Sequence, residues 1–267
     1  MYQGLKIDNK SMLLYFSEGE GKMFTTQTER YPNNRDPSWR SLYKAGGVCG
    51  ILTGVLLIIS MVLLFTTPQA PNSGGAAILQ YIASNKLVYI IEQVLGIAPL
   101  FLEIIALMAI YIVIRNLNKS YAAIGSVLAI ISQSIVLAYI TFGGLVYLSD
   151  NYMTATTDAQ RTAFATAAEW PVAVNNAVSA AGIDPIMTAC AIGILVISLV
   201  MLKGIFHKGI AYLGLLTGIV GIISALGIII RPLSVPPPLG MGYLLYSFFL
   251  TTWFVAVGIK LYRLGKI

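Results

Sequence analysis

Of the 267 residues, 57% are hydrophobic and only 10% are charged, and the mean hydropathy is +0.79. A soluble domain carries about a quarter charged residues, so this composition excludes one and defines an all-α polytopic membrane protein. The net charge of +6 comes from 17 Lys and Arg, but these lie in a polar tail and in short loops between apolar runs. They form no basic stripe interleaved with aromatics, which argues against a nucleic-acid partner and for contact with lipid headgroups.

In chain order, residues 1–40 are polar and of mixed charge, with a Pro/Asn-rich end. They lack the basic start, apolar centre and small-residue cleavage site of a signal peptide, and read as a disordered cytoplasmic tail. Nothing before Trp39 has membrane periodicity, so Met12 and Met23 are alternative starts. Residues 41–267 form the membrane domain. Six apolar runs, about 45–65, 87–114, 121–148, 186–202, 210–230 and 241–262, each approach the roughly 20 residues that a bilayer core requires. Asp184-Pro185 reads as an N-cap and first helical position for the fourth run; one longer helix from about Pro171, kinked at Pro185, is the other reading, and both stay open.

Eleven basic residues flank the runs on one side (Arg30, Arg35, Arg40, Lys44, Arg115, Lys119, Lys203, Lys208, Lys260, Arg263 and Lys266), against Lys86, Arg161 and Arg231 on the other. The positive-inside rule then puts both termini in the cytoplasm, in a plasma or inner membrane. The longest outer loop, 149–182, contains a Thr157-x-x-Gln160 capping box, with Ala163, Phe164, Ala167 and Ala168 on one face before Pro171 stops the run. It predicts an amphipathic helix lying on the outer surface or capping the bundle mouth.

The segments beginning Lys44-AGGVCGILTG and Lys208-GIAYLGLLTG align without a gap and end alike, at Ser60 and Ser224. The third run keeps only the frame of Lys119, Gly125 and Ala129. The echo suggests three parallel hairpins. Gly46, Gly50 and Gly54 form one small-residue ladder, and Gly214 with Gly218 another, of the kind that lets helix backbones approach closely. Packing within one bundle is their expected use; dimerisation through the first helix is the alternative, although nothing else indicates a homo-oligomer.

The second run carries two carboxylates, which are costly at that depth. Glu92 and Glu103 are eleven residues apart, a spacing that returns to within about 20° of the same helical face. With Gln93, Gly96 and Pro99 they make a polar stripe running inward from the outer interface. Gln133, Asn175, Asn176 and Asp184 come from the facing side, and Arg231 is placed to pair with Asp184 or Glu92 or to snorkel; Glu92 could equally meet Lys86. The candidate ligand-binding set is therefore Glu103, Glu92, Gln93, Gln133, Asp184 and Arg231.

A single His207, and two cysteines without a CxxC or HExxH pattern, give no basis for a zinc, haem or other cofactor site. Cys49 and Cys190 fall in opposite leaflets and read as small apolar fillers rather than as a disulfide. No nucleophile elbow or P-loop is present, and no catalytic residue is expected.

Three stretches, IYIVIRNLNKSYAAIGSVLAIISQS (110–134), TTDAQRTAFATAAE and KGIFHKGIAYLGLLTGIVGI, resemble a prokaryotic six-helix integral membrane family of unknown function (DUF4386-like). The resemblance runs from about Ser41 to the C-terminus. It implies six membrane helices and no assigned reaction; where that family carries an Arg and a nearby acid in its third span, this chain has Gln133 and Ser134.

The function expected from these readings is binding of a small or lipidic ligand, or an ion, in an outward-facing polar pocket, as part of a transporter or sensor. The alternative is a structural or accessory membrane protein whose acids only hold helices together. An intramembrane enzyme is the third.

Overall fold

The computed structural model describes residues 37–68, 70–71, 74–138, 142–180, 185–226 and 241–266. A short 3-10 turn, Pro37–Trp39, precedes in sequence the compact unit that begins at Arg40. That unit contains α1 (Arg40–Thr66), α2 (Gly75–Ser84), α3 (Lys86–Ile114), α4 (Lys119–Ala138), α5 (Phe142–Thr154), α6 (Asp158–Ala180), α7 (Pro185–Met201), α8 (Lys208–Leu226) and α9 (Met241–Lys266). No strand occurs among the described residues.

Six of these helices close a ring in the order of the sequence: α1 packs on α3, α3 on α4, α4 on α7, α7 on α8, α8 on α9, and α9 back on α1. Their outer faces stay apolar, as Val48, Leu52, Val55 and Val62 on α1, or Ile124, Val127 and Ile131 on α4, illustrate. Exposed apolar faces of this extent require an apolar solvent. Five segments, Arg40–Thr66, Lys86–Ile114, Lys119–Thr154, Lys208–Ala225 and Gly242–Lys266, are long and apolar enough to cross a bilayer, whereas α7 is an apolar helix of 17 residues.

The ring closes because glycines remove the Cβ atoms that would hold backbones apart. A Cβ at Gly193 on α7 would meet the Gly125 oxygen on α4 at 2.7 Å and the Ala129 nitrogen at 2.8 Å. Between α1 and α9, one at Gly258 would meet the Gly47 oxygen and the Ile51 nitrogen, both at 2.8 Å. Of the ladder residues, Gly46 faces Ala109 of α3, Gly50 and Gly54 face α9, Gly214 meets Ser198 and Trp253, and Gly218 meets Ala191 and Leu195 of α7. All five therefore seat neighbours within the chain.

The remaining helices, α2, α5 and α6, pack mainly on one another. Ile78, Leu79 and Ile82 of α2, Leu145 of α5, Ala168 of α6 and Tyr89 at the start of α3 share one small core, with Phe164 packed against it. Ser149 Oγ donates to the Leu79 carbonyl at 2.7 Å, and Lys86 at the start of α3 bonds both Asp150 oxygens of α5 at 2.7 Å. We call this three-helix cluster the cap.

One expectation needs correction, and one helix went unread. The stretch before the second run, for which the sequence reading named no element, holds α2; its apolar residues at 78, 79 and 82 keep helical spacing, and Gly74 at φ 85 lets the chain turn into it. The third run, expected over 121–148, lies within the segment Lys119–Thr154, whose described helices are α4 and α5; α5 packs with α2 and α6. The outer-loop helix does not stop at Pro171 but continues to Ala180, because an internal proline removes one donor and can be carried by the helix around it. Its capping box forms as read, with the Gln160 amide donating to Thr157 Oγ1 at 3.2 Å and the Thr157 amide donating to Gln160 Oε1 at 3.4 Å.

Replacing Gly193 with Ala is expected to destabilise the fold by about 1–3 kcal/mol through overpacking, lowering the unfolding midpoint in detergent. Gly96→Ala, where an added Cβ has nothing within 4 Å, is expected to leave that midpoint within about 0.5 kcal/mol of wild type.

Candidate functional site

The polar stripe of α3 is displayed to one side of the helix by its 3.6-residue repeat, and the structure resolves it into two adjoining chambers. The inner chamber has a volume of about 410 Å³. From α3 come Gln93, Gly96, Pro99 and Glu103; α4 adds Ser132 and Gln133, α7 adds Cys190, α9 adds Tyr243, Tyr246 and Ser247, and α1 adds Leu57 and Ser60. The outer chamber, about 270 Å³, holds Glu92 and is bordered by Leu64 in the last turn of α1 and by Pro68 and Ala70 beyond its end. Leu57, Ser60, Tyr243 and Ser247 line both, so the two form a series leading from Glu92 to Glu103.

Glu103 is 2% exposed. Its carboxylate accepts a short hydrogen bond from Gln133 Nε2, and the same amide nitrogen lies 3.7 Å from Cys190 Sγ. Tyr246 OH donates to that sulfur at 3.6 Å. One polar chain, Glu103–Gln133–Cys190–Tyr246, thus joins four helices across the inner chamber. Glu92 is half-buried and accepts from Thr67 Oγ1 at 2.5 Å. It does not meet Lys86, which is committed to Asp150: Lys86 begins α3 at the cap, whereas Glu92 lies nearly two turns further along.

Among the expected ligand-binding residues, Glu103, Gln93 and Gln133 share the inner chamber and Glu92 the outer one. Asp184 and Arg231 lie outside the described residues, as do the side chains of Asn175 and Asn176. The sequence reading missed Cys190, Tyr243, Tyr246, Ser60 and Ser247. The aromatics of α9 gave no usable signal, because the helix is apolar on every side, with Tyr246 and Leu250 buried but Tyr243 and Phe248 exposed. Cys49 and Cys190 are both buried thiols. Among the described residues no cluster of His, Cys, Asp or Glu is assembled that would hold a metal ion, and no Lys, Arg or His lines either chamber.

Ring, cap and apolar exterior define an all-α membrane protein. No family model, curated protein or solved structure matches the chain.

The Glu103–Gln133 bond fixes the sign of two substitutions. Gln133→Leu strands a buried carboxyl and is expected to cost about 1–3 kcal/mol, read as a lower unfolding midpoint in detergent. Glu103→Gln keeps a partner for the Gln133 amide, so its cost should be under half that of Gln133→Leu in the same assay.

Proposed function

We propose that the chain crosses a cell membrane six times, through α1, α3, α4, α7, α8 and α9, with both ends cytoplasmic and the cap on the outer side. It binds a small or lipidic molecule, or an ion, in the two-chamber pocket, as the binding component of a transporter or sensor. The observation that carries this reading is the position of Glu103: a carboxyl 2% exposed that borders a recess of about 410 Å³, a size usual for small-molecule sites. A carboxyl kept only for packing needs no recess beside it.

The eleven-to-three distribution of basic residues supports the orientation. α7 alone spans about 26 Å, close to the hydrocarbon thickness. The outer chamber borders the connection that follows α1, which suits an entrance on the cap side. Six ring helices are also the number in the membrane family of unknown function that the sequence resembles. The second reading, a structural protein whose acids hold helices together, draws on the hydrogen bonds that Glu103 and Glu92 already make within the chain.

Native mass spectrometry of the full chain released gently from detergent separates the two. Wild type is expected to retain a bound small molecule or lipid that Glu103→Gln loses by at least about tenfold, roughly 1.4 kcal/mol or more of binding. Equal occupancy in wild type and Glu103→Gln would favour the packing role.

A further inference from the structure

The lining of the inner chamber specifies a charge. Glu103 is its one carboxylate among the described residues, and the groups facing it from the packed helices are Gln133 on α4, Cys190 on α7, and Tyr243 and Tyr246 on α9. None of these carries a positive charge, and no charged residue of α1 or α8 lines the chamber. A carboxylate in a low-dielectric interior requires a positive partner held close to it. The chamber therefore has room and reason for one positive charge at Glu103, supplied either by a proton on the carboxyl or by a cationic guest.

The rest of the wall decides what sort of guest. Leu57, Leu95, Ile97, Val136 and Leu250 make most of it apolar, which disfavours a small, strongly hydrated metal ion that would need several oxygen ligands. Tyr243 and Tyr246 add aromatic surface of the kind that attracts ammonium and guanidinium groups. Glu92 in the outer chamber provides a second acid on the same route, with Ser60, Tyr243 and Ser247 between the two.

We infer that the pocket selects hydrophobic organic monocations, an ammonium or guanidinium carried on an apolar body, which displace the proton from Glu103 as they bind. This rests on the pocket reading above and names its substrate class. The balance is one charge for one charge: the carboxyl O–H bond breaks, the proton leaves through the outer chamber to water, and the guest's positive group takes its place beside the carboxylate. Glu92 acts as the first acidic stop on the way in.

Cys190 provides the test, because its sulfur shares the Gln133 amide with Glu103. In a Cys49→Ala background it is the chain's single thiol. The full chain in detergent is treated with three methanethiosulfonates that differ in charge: trimethylammonioethyl, sulfonatoethyl and neutral methyl. Intact mass gives each rate, normalised to that reagent's rate with a free thiol in solution. The expected result is a cation-over-anion preference of at least about tenfold at Cys190. Glu103→Gln should reduce it to within about twofold, and Glu103→Asp should retain part of it. Benzyltrimethylammonium should slow the neutral reagent in the Cys49→Ala protein and not in its Glu103→Gln form.

Equal normalised rates for the cationic and anionic reagents, with the neutral one reacting readily, would overturn the cation assignment and leave the pocket standing. Failure of all three to react until the protein is unfolded would overturn the pocket itself. A preference that survives Glu103→Gln unchanged would remove Glu103 from its cause and overturn the inference in that form.

Discussion

Burying the Glu103 carboxyl among apolar helices costs several kcal/mol unless a partner meets it, and Gln133 is that partner. The bond between them sets the register of α3 against α4 near the middle of the ring. Because the Gln133 amide also reaches Cys190, α7 is tied to the same point, and Tyr246 ties in α9. Four of the six ring helices thus meet in one small polar chain. Such groups are expensive to leave unmade, so the arrangement fixes which faces of these helices look inward.

The rest of the ring follows from close approach. Lipid gives helices no hydrophobic reason to associate, so van der Waals contact at glycine sites holds them together. Backbone meets backbone at two of these contacts, Gly125 with Gly193 and Gly47 with Gly258, at the α4–α7 and α1–α9 interfaces. Where the helices instead present Gly96 and the Ser60 and Ser247 hydroxyls, the wall opens into the two chambers. Dense packing on the flanks and small or polar residues at the centre are together what leave a recess beside a buried acid.

Much of this was legible in the sequence, for identifiable reasons. Hydrophobic runs near bilayer length marked the ring helices, and the eleven-residue spacing of Glu92 and Glu103 put both on one face of α3. The residues that complete the pocket were harder to see. Cys190, Tyr243 and Tyr246 belong to runs that are hydrophobic all round, where periodicity cannot say which face turns inward. The cap was only partly legible because α2 is only 10 residues long, too short to register as a span, and because α6 continues past its proline. Lys86 was offered to Glu92 by proximity in sequence, but its actual partner, Asp150, lies 64 residues away in the chain, beyond the reach of local reasoning.

Solvent access to the Glu103–Gln133 pair separates a binding recess from a sealed helix contact. It can be measured as hydrogen–deuterium exchange of the Gln133 side-chain amide by NMR, with the full chain in a lipid nanodisc and Gln133→Asn used to assign the signal. Exchange within minutes of transfer to deuterated buffer is expected if the chambers connect Glu103 to the outer surface. A Gln133 signal that persists for days, as for an amide locked in a helix interface, would contradict an accessible pocket and leave the pair with a purely structural role.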